Sequence, residues 1–212
     1  YERYRKLIGA DPSPAMVKAA FLPVAKDLAG NHDADGGILG HPFDSKQGWG
    51  RLDAAAVLDP DAEVRYFDQE TILDNTGETW TFTYTAREPI QTLRAMLVWT
   101  DAPGHGQGGT APAWVNDLDL SITTGSQTFY GNNFGPNGLS IPGGSADFMN
   151  NTEGVFLPPS PEGDFTITVT ASQINGDCVP NSGDTTDQDF ALAIYVEEGK
   201  IEYQLIFPLF FH

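Results

Sequence analysis

The sequence is poor in cysteine, in basic residues and in long apolar runs. Cys178 is the only cysteine among 212 residues, so no disulfide forms within the chain and no paired-cysteine zinc or redox motif is present. The 11 Lys and Arg residues are outnumbered by 29 Asp and Glu residues, and the net charge of −18 disfavours binding to nucleic acid or to an anionic membrane surface. The longest apolar run, 205–211, is too short to span a bilayer.

The composition is nevertheless that of a folded protein. Apolar residues make up 40% of the chain and aromatic residues 11%, and this length predicts one or two domains. Cys178 lies in a turn-forming loop without a basic neighbour, which favours an incidental thiol over a nucleophile. An acidic chain rich in Gly, Asn and Asp is well solvated, and it also offers oxygen ligands to a hard cation such as calcium.

The first 62 residues have helical patterns. Apolar spacing predicts a first helix that Gly9 ends. A second helix is predicted from about Pro14 to Leu28, capped by Ser13. A third, over 52–58, follows a Gly-Trp-Gly turn in which the glycines allow positive φ angles.

From Val64 onward the apolar residues alternate with polar ones, which is typical of half-buried strands. The clearest strands are expected at 79–85, 93–99, 118–122, 165–169 and 190–194, with shorter ones at 72–73, 128–130 and 155–157. About eight strands joined by long Gly-, Pro- and Asn-rich loops predict a mainly β protein with an antiparallel sandwich or jelly roll. We therefore divide the chain into helices at 1–62, a β-domain at 63–198 and an apolar tail at 199–212.

The helical segments SPAMVKAAFL at 13–22 and QGWGRLDAAAVL at 47–58 resemble the last two helices of the catalytic domain of subtilisin-like serine proteases, the subtilases. The β-half looks like the C-terminal β-barrel of the subtilase branch that includes the oxidatively stable alkaline proteases. More distantly, it is similar to the P domain of proprotein convertases. The blocks that carry this resemblance are, in order, LVWTDAP at 97–103, VNDLDL at 115–120, YGNN at 130–133, Asp147 with NNTE at 150–153, and DQDFAL at 187–192.

The resemblance, which covers residues 1–198, implies a C-terminal part of a secreted, extracellular endopeptidase. Subtilases cleave peptide bonds with an Asp, a His and an activated Ser. The family carries that serine in a Gly-Thr-Ser-Met-Ala turn just before the helix that matches residues 1–8, and no such string occurs here. The triad and the polypeptide substrates would then belong to an upstream catalytic domain. We assign no catalytic residue, because the four histidines, His32, His41, His105 and His212, lie in loops or at the terminus.

Calcium is the expected cofactor. In the resembled proteases a barrel calcium is held by the residue after Gly-Asn and by an Asp-x-x-Asn-Asn loop. Here the first position is Asn133, where the family usually has Asp, and the loop at 134–146 is lengthened. The expected ligand set is Asn133, Asp147, Asn150, Asn151 and Glu153. In the alternative interpretation these side chains only satisfy the backbone of turns.

Two other acidic pairs are candidates for cation binding. Asp117 and Asp119 are two residues apart on a predicted strand, so both side chains point to one face. Three interpretations are open: the pair binds a second cation, it pairs with an Arg such as Arg94, or it forms a solvated face. Asp33 and Asp35 imitate the start of an EF-hand loop, but no Glu follows at the required spacing. We expect that loop to be solvated.

The alternative to a protease fragment is a non-catalytic carbohydrate- or protein-binding β-sandwich module. Exposed aromatic rings aligned on one sheet face would favour that module, whereas the helices at 14–58 favour the subtilase fragment. We expect the four tryptophans, Trp49, Trp80, Trp99 and Trp114, to anchor cores or interfaces. If the chain is a subtilase fragment, we expect the helices to pack poorly alone, because their apolar side chains would cover a sheet that is missing here. These side chains are Met16, Val17, Ala20, Phe21, Val57 and Leu58.

Overall fold

The computed structural model describes residues 1–104, 112, 114–180, 182 and 184–199. Three short helices precede eight strands within these residues. The helices are α1 (Glu2–Ile8), α2 (Pro14–Phe21) and α3 (Ala54–Leu58). The strands are β1 (Glu63–Leu73), β2 (Thr79–Ala86), β3 (Ile90–Val98), β4 (Asp117–Thr124), β5 (Gln127–Tyr130), β6 (Thr152–Leu157), β7 (Gly163–Gln173) and β8 (Gln188–Glu198). The apolar tail beyond Gly199 lies outside the described residues, as does His105.

The strands form two antiparallel sheets that pack face to face. The first sheet has the order β1-β8-β3-β6 and the second has the order β2-β7-β4-β5. This arrangement is a jelly-roll sandwich, as the alternating sequence pattern predicts. On β2, for example, Trp80, Phe82 and Tyr84 turn toward the core, while Thr81 and Thr83 are exposed.

The core between the sheets is built from the inward positions of both. Its largest fully buried side chains include Trp99, Phe165 and Phe190. The Trp99 indole N–H donates to the carbonyl oxygen of Asn116 at 3.1 Å, so its polar atom is satisfied inside the core. The prediction that Trp99 is a core anchor is confirmed.

The helices form a third layer on the outer face of the first sheet. Ser13 Oγ accepts a hydrogen bond from the Met16 amide at 2.9 Å and caps α2 as predicted. Met16 and Ala20 are buried against the sheet, where the Tyr195 hydroxyl donates to the Ala20 carbonyl at 2.8 Å. The expectation that Met16 and Ala20 have no sheet to pack against in this chain is therefore wrong. The sandwich itself covers them, because β8 presents the small residue Ala193 to α2.

The Gly-Trp-Gly turn fixes the helical layer to the first sheet. Gly48 and Gly50 have φ angles of 59° and 103°. A Cβ at Gly50 would lie 2.6 Å from the carbonyl oxygen of Lys26, so this close backbone approach requires glycine. The Trp49 ring stacks on Phe43 at 4.9 Å between centroids and packs on Phe156 of β6 at 5.9 Å. Trp49 is thus an anchor between the layer and the sheet.

Two elements differ most in their bounds from the sequence-based expectation. The second helix ends at Phe21 instead of Leu28, since Pro23 lacks the N–H that would continue the helical hydrogen bonds, although Leu22 before it still has helical backbone angles. The strand expected at 72–73 extends back to Glu63, with an irregular register between Asp68 and Ile72. No helix in the described ranges is long and apolar enough to cross a membrane.

Candidate cation site

The acidic loop predicted to bind calcium lies at one open side of the sandwich, where β5 and β6 are the outermost strands. We call this the β5–β6 side. Residues 131–151 connect the two strands there, and β4 is the next strand of the second sheet. The opposite open side, where β1 and β2 are outermost, is called the β1–β2 side.

Asp147 organises the connecting loop. Its Oδ2 accepts hydrogen bonds from the side-chain amides of Asn132 at 2.6 Å and Asn150 at 2.7 Å, and its Oδ1 accepts one from the Met149 amide at 2.8 Å. Asn132 has a φ angle of 59° and accepts the Gly154 amide on its Oδ1 at 2.9 Å. Asn132 therefore ties the loop to the start of β6, and the hydrogen-bond donors to the Asp147 carboxylate are all uncharged amides.

Glu153 is the most deeply buried acid of this side. Its exposed fraction is 0%. Its Oε2 accepts the Leu120 amide at 2.8 Å, which takes the place of a ladder bond where β5 ends. Its Oε1 is buried and has no hydrogen-bond partner. A carboxylate with an unpartnered buried oxygen is costly unless a proton or a cation satisfies it.

Two acids of β4 lie beside Glu153. Asp117 is only 5% exposed and Asp119 is half-buried. The Ser172 hydroxyl donates to Asp119 Oδ2. The Oδ1 atoms of both aspartates are buried without a partner, like Oε1 of Glu153. Three acids on two strands thus present one unsatisfied oxygen each.

These acids raise one another's pKa. Burial, followed by the charges of Asp119, Asp147 and Asp101, raises the pKa of Asp117 to about 6. Burial also raises the pKa of Asp119, although the Ser172 hydrogen bond opposes the shift. For Glu153, burial holds the pKa well above its usual range despite the Leu120 amide, and nearby Asp119, Asp147 and Asp117 add to it. The β5–β6 side is therefore a pocket of negative potential that favours protons or a cation.

The structure brings together only part of the predicted ligand set. Asp147 and Asn150 are hydrogen-bonded to each other. The Asn133 amide instead donates to the carbonyls of Ile141 and Gly143, at 3.1 and 2.8 Å. Asn151 is exposed, and the backbone N–H of Trp99 donates to its backbone carbonyl at 3.4 Å. In the described part of the chain, no three Asp, Glu, His or Cys side chains already form a metal-binding group.

The unsatisfied oxygens nevertheless have the chemistry of a hard-cation site. Calcium takes six to eight oxygen ligands, from carboxylates, Asn side chains and carbonyls. Asp117, Asp119 and Glu153 supply oxygens from the strands, and Asp147 and Asn150 supply them from the loop. The loop must close on the strands to complete one coordination shell, so calcium stays a prediction here.

The sequence predicts Asp117 and Asp119 as a site separate from the loop, whereas in the structure their charges act on Glu153 together with that of Asp147. Two of the alternatives for this pair are wrong. Asp117 is too buried for a solvated face. Arg94 pairs with neither aspartate, since its guanidinium donates to the Pro23 carbonyl at 2.6 Å and lies over the Phe156 ring. The sequence does contain a signal for this site, because Asp119 lies between Leu118 and Leu120, which are both core residues of β4.

From the sequence, Asn133 is predicted as the residue that works with the acidic loop, but in the structure it is the neighbouring Asn132 that bonds to Asp147. Asn132 follows Gly131, where an added Cβ would collide with the carboxylate of Glu153. A Gly-Asn pair before an acidic loop indicates such a tight, positive-φ turn. The choice between two adjacent asparagines depends on backbone direction, which composition does not encode.

The other candidate groups have structural partners. Asp33 accepts hydrogen bonds from Lys46 and from the amides of Asp35 and Gly37, so it holds its own turn. His41 Nδ1 lies 2.5 Å from Asp27 Oδ2. Burial raises the pKa of the Cys178 thiol to about 12, which keeps it protonated at neutral pH.

Comparisons with known proteins add little. No protein-family model matches the chain, and no curated protein matches it. Among solved structures, the P-domain of Penaeus vannamei nodavirus aligns with a TM-score of 0.26 and 10% identity, over 65% of this chain and 96% of that one. A similarity of this size carries no inference about fold or function.

Proposed function

We propose that the chain is the C-terminal part of a secreted subtilisin-like serine endopeptidase. In this proposal the jelly roll supports a catalytic domain that precedes Tyr1 and contains the triad and the substrate cleft. The helical layer joins the two. The observation that carries the proposal is the uneven distribution of exposed apolar side chains over the described residues.

The helical layer is packed against the first sheet on one side and has apolar side chains exposed to solvent elsewhere. Met16 and Trp49 secure it to the first sheet. On its outer surface Tyr1 is 73% exposed, Leu7 57% and Leu58 58%. The other large apolar side chains exposed in this layer are Ile8, Ile38, Phe43 and Leu52. Seven of the eleven large apolar side chains exposed among the described residues lie in this layer, and the other four are Ile72, Ile141, Phe148 and Met149. Exposed apolar residues concentrated in one region mark an interaction surface, and a preceding catalytic domain would cover it.

The aromatic residues of the second sheet do not favour the alternative of a binding module. Trp80 and Phe82 turn inward, and threonines occupy the outward positions of β2 and β7, among them Thr83 and Thr166. In the described strands, no row of exposed rings crosses that face. We therefore keep the protease fragment as the proposed function.

Calcium has a supporting role in this proposal. A secreted chain with a single cysteine has no internal disulfide to stabilise it. The acidic pocket on the β5–β6 side would provide a substitute, with calcium held by Asp147, Asn150 and Glu153 and by the β4 acids Asp117 and Asp119. The metal would tie β4, β6 and their connecting loop together, and thereby stiffen the barrel.

The first test uses the chain as it stands and a protein extended by the natural coding sequence upstream of Tyr1. A fluorophosphonate probe should leave the chain unlabelled and should label the extended protein at a serine in a Gly-Thr-Ser-Met-Ala string. Labelling of the chain itself, or an upstream sequence without a serine protease domain, would overturn the proposal.

The second test examines the exposed apolar surface of the helical layer. Leu58→Asp should lower the melting temperature and the peptidase activity of the extended protein but leave the melting temperature of the shorter chain unchanged, because Leu58 contacts little in the latter. Ile141→Asp is the matched control, since Ile141 is exposed on the sandwich instead of the helical layer. Equal effects of the two substitutions on the extended protein would contradict the assignment of this surface.

A further inference from the structure

The β1–β2 side of the sandwich leaves an aromatic cluster partly uncovered. Phe67 of β1 packs against Trp80 and Phe82 of β2, with ring centroids 4.8 and 5.0 Å apart. Trp80 also packs on the buried Phe190, 5.6 Å away. All three outer rings are only half-buried although they border the main core. Large rings in this position gain stability from any apolar segment that covers them.

Both strands that border this cluster have a free edge. Among the described residues, β1 pairs with β8 alone and β2 with β7 alone. A free edge presents unpaired N–H and C=O groups that can accept a further strand. The side therefore combines uncovered apolar rings with backbone groups ready for pairing.

A groove leads from the end of β8 to these rings. A hollow of about 730 Å³ begins at Gly199 and is lined by Glu63, Tyr84 and Glu198. A second hollow of about 540 Å³ shares these three residues and continues to Phe82. The Tyr84 hydroxyl donates to Glu198 at 2.6 Å on this path. The chain thus leaves β8 at the mouth of a groove that ends at the aromatic cluster.

The segment after Gly199 alternates between apolar and polar residues at its start and is apolar throughout from Leu205 to Phe211. Every odd position from 201 to 211 is apolar: Ile201, Tyr203, Leu205, Phe207, Leu209 and Phe211. Glu202 and Gln204 occupy the first even positions, whereas Ile206 and Phe210 are apolar as well. Alternation of this kind places one set of side chains on a single side of a strand. Pro208 is compatible with an edge strand only.

The segment is also long enough to reach. Twelve residue steps from Gly199 to Phe211 span about 40 Å when extended, whereas β2 spans about 24 Å and the two sheets lie about 10 Å apart. The Gly199 amide donates to the Pro89 carbonyl at 2.7 Å, so the segment starts beside the end of β2. A chain that turns back from this point runs antiparallel to β2.

We propose that residues 201–211 dock on the β1–β2 side as an added strand antiparallel to β2, with their odd-numbered apolar side chains over Phe67, Trp80 and Phe82. This inference is independent of the proposed protease function. It uses only the open edge, the groove and the alternation of the segment.

Hydrogen exchange with mass spectrometry tests the inference on the full chain and on a chain truncated after Gly199. Truncation should speed exchange at least about tenfold at those amides of β2 that do not bond to β7. Exchange in β5, on the opposite side of the sandwich, should not change. Unchanged β2 exchange in the truncated chain would overturn the proposal.

Two adjacent substitutions provide the matched control. Leu205→Asp should have the effect of truncation, because it places a charge on the rings, whereas Ile206→Asp should retain the protection of β2. Equal effects would overturn the predicted side-chain direction. Protection that rises with protein concentration, together with a dimer in sedimentation, would show that a second copy supplies the strand and would also overturn the proposal.

Discussion

The two open sides of the jelly roll differ in what they leave unsatisfied. On the β5–β6 side, Asp117, Asp119 and Glu153 each keep a buried oxygen without a hydrogen-bond partner. On the β1–β2 side, Phe67 and Trp80 keep part of their ring surface in water. A buried charge needs a proton or a counter-charge, whereas an apolar ring needs only cover.

This difference separates the responses of the two sides to solution conditions. Stability on the β5–β6 side should depend on pH, because pH changes the charge of the buried carboxyls. It should also depend on calcium, because the bound cation would offset that charge. The contribution of the rings of Phe67, Trp80 and Phe82 on the β1–β2 side should depend on neither, since none of these side chains is titratable. For each substitution we therefore compare two quantities: the loss in the free energy of unfolding, and the change in that loss with calcium and pH.

The largest effect is expected from Glu153→Ala. The substitution removes the acceptor of the Leu120 amide and leaves a cavity in a fully buried site. We expect a loss of about 3 kcal/mol in the free energy of unfolding, measured in denaturant with calcium present. Glu153→Gln keeps an acceptor for Leu120 and should lose less, yet it should lose most of the calcium response. A loss below about 1 kcal/mol for Glu153→Ala would show that this acid is not needed.

Calcium removal should have the next largest effect. A hundredfold excess of calcium over its Kd stabilises the folded state by about 2.7 kcal/mol, so EDTA should lower the melting temperature by about 5–10 °C. Asp147→Ala should abolish this shift, because Asp147 holds the loop residues Asn132 and Asn150. Asp33→Ala is the matched control and should retain the shift, since Asp33 only closes its own turn. A parent protein that melts identically with EDTA and with calcium would exclude the site.

The sequence predicted what is local and missed what is not. The inward turn of Trp80 and Phe82 follows from alternation within one strand, and the Asp147–Asn150 pair follows from spacing within one loop. The contact of Glu153 with Leu120 joins two sheets, so neither residue's neighbours encode it. The burial of Met16 depends in the same way on a sheet far along the chain.

On the β1–β2 side, Phe67→Ala should cost about 2 kcal/mol, less than a fully buried phenylalanine because the ring is half-buried. The loss should be the same in calcium and in EDTA, as no carboxyl of the acidic pocket contacts this ring. Chemical denaturation under both conditions provides the measurement. A loss that changes with calcium would remove the distinction between the two sides.

An effect of similar or smaller size is expected from pH in calcium-free buffer. The pKa of Asp117 is raised in the folded state to about 6, above its unfolded value of about 3.9. Its stabilising contribution is therefore complete below the unfolded pKa and is lost as the pH rises through the folded pKa. Asp117→Asn lacks this titration, so the variant should gain up to about 2 kcal/mol relative to the parent between about pH 4 and pH 7. Saturating calcium should reverse the trend, and a pH-independent difference would contradict it.

The smallest expected effect is the coupling between the two sides. Phe67 lies on β1 and Glu153 on β6, the two edge strands of the first sheet. Phe67→Ala and Glu153→Gln share no contact partner, so their losses should add within about 0.5 kcal/mol. Phe67→Ala combined with Trp80→Ala should instead deviate from additivity by more than about 0.5 kcal/mol, because the two rings are in contact. Both cycles are measured by denaturant unfolding in calcium. Coupling across the sandwich as large as coupling within the aromatic cluster would mean that the core transmits strain from one side to the other, and the sides would then have to be treated as one cooperative unit.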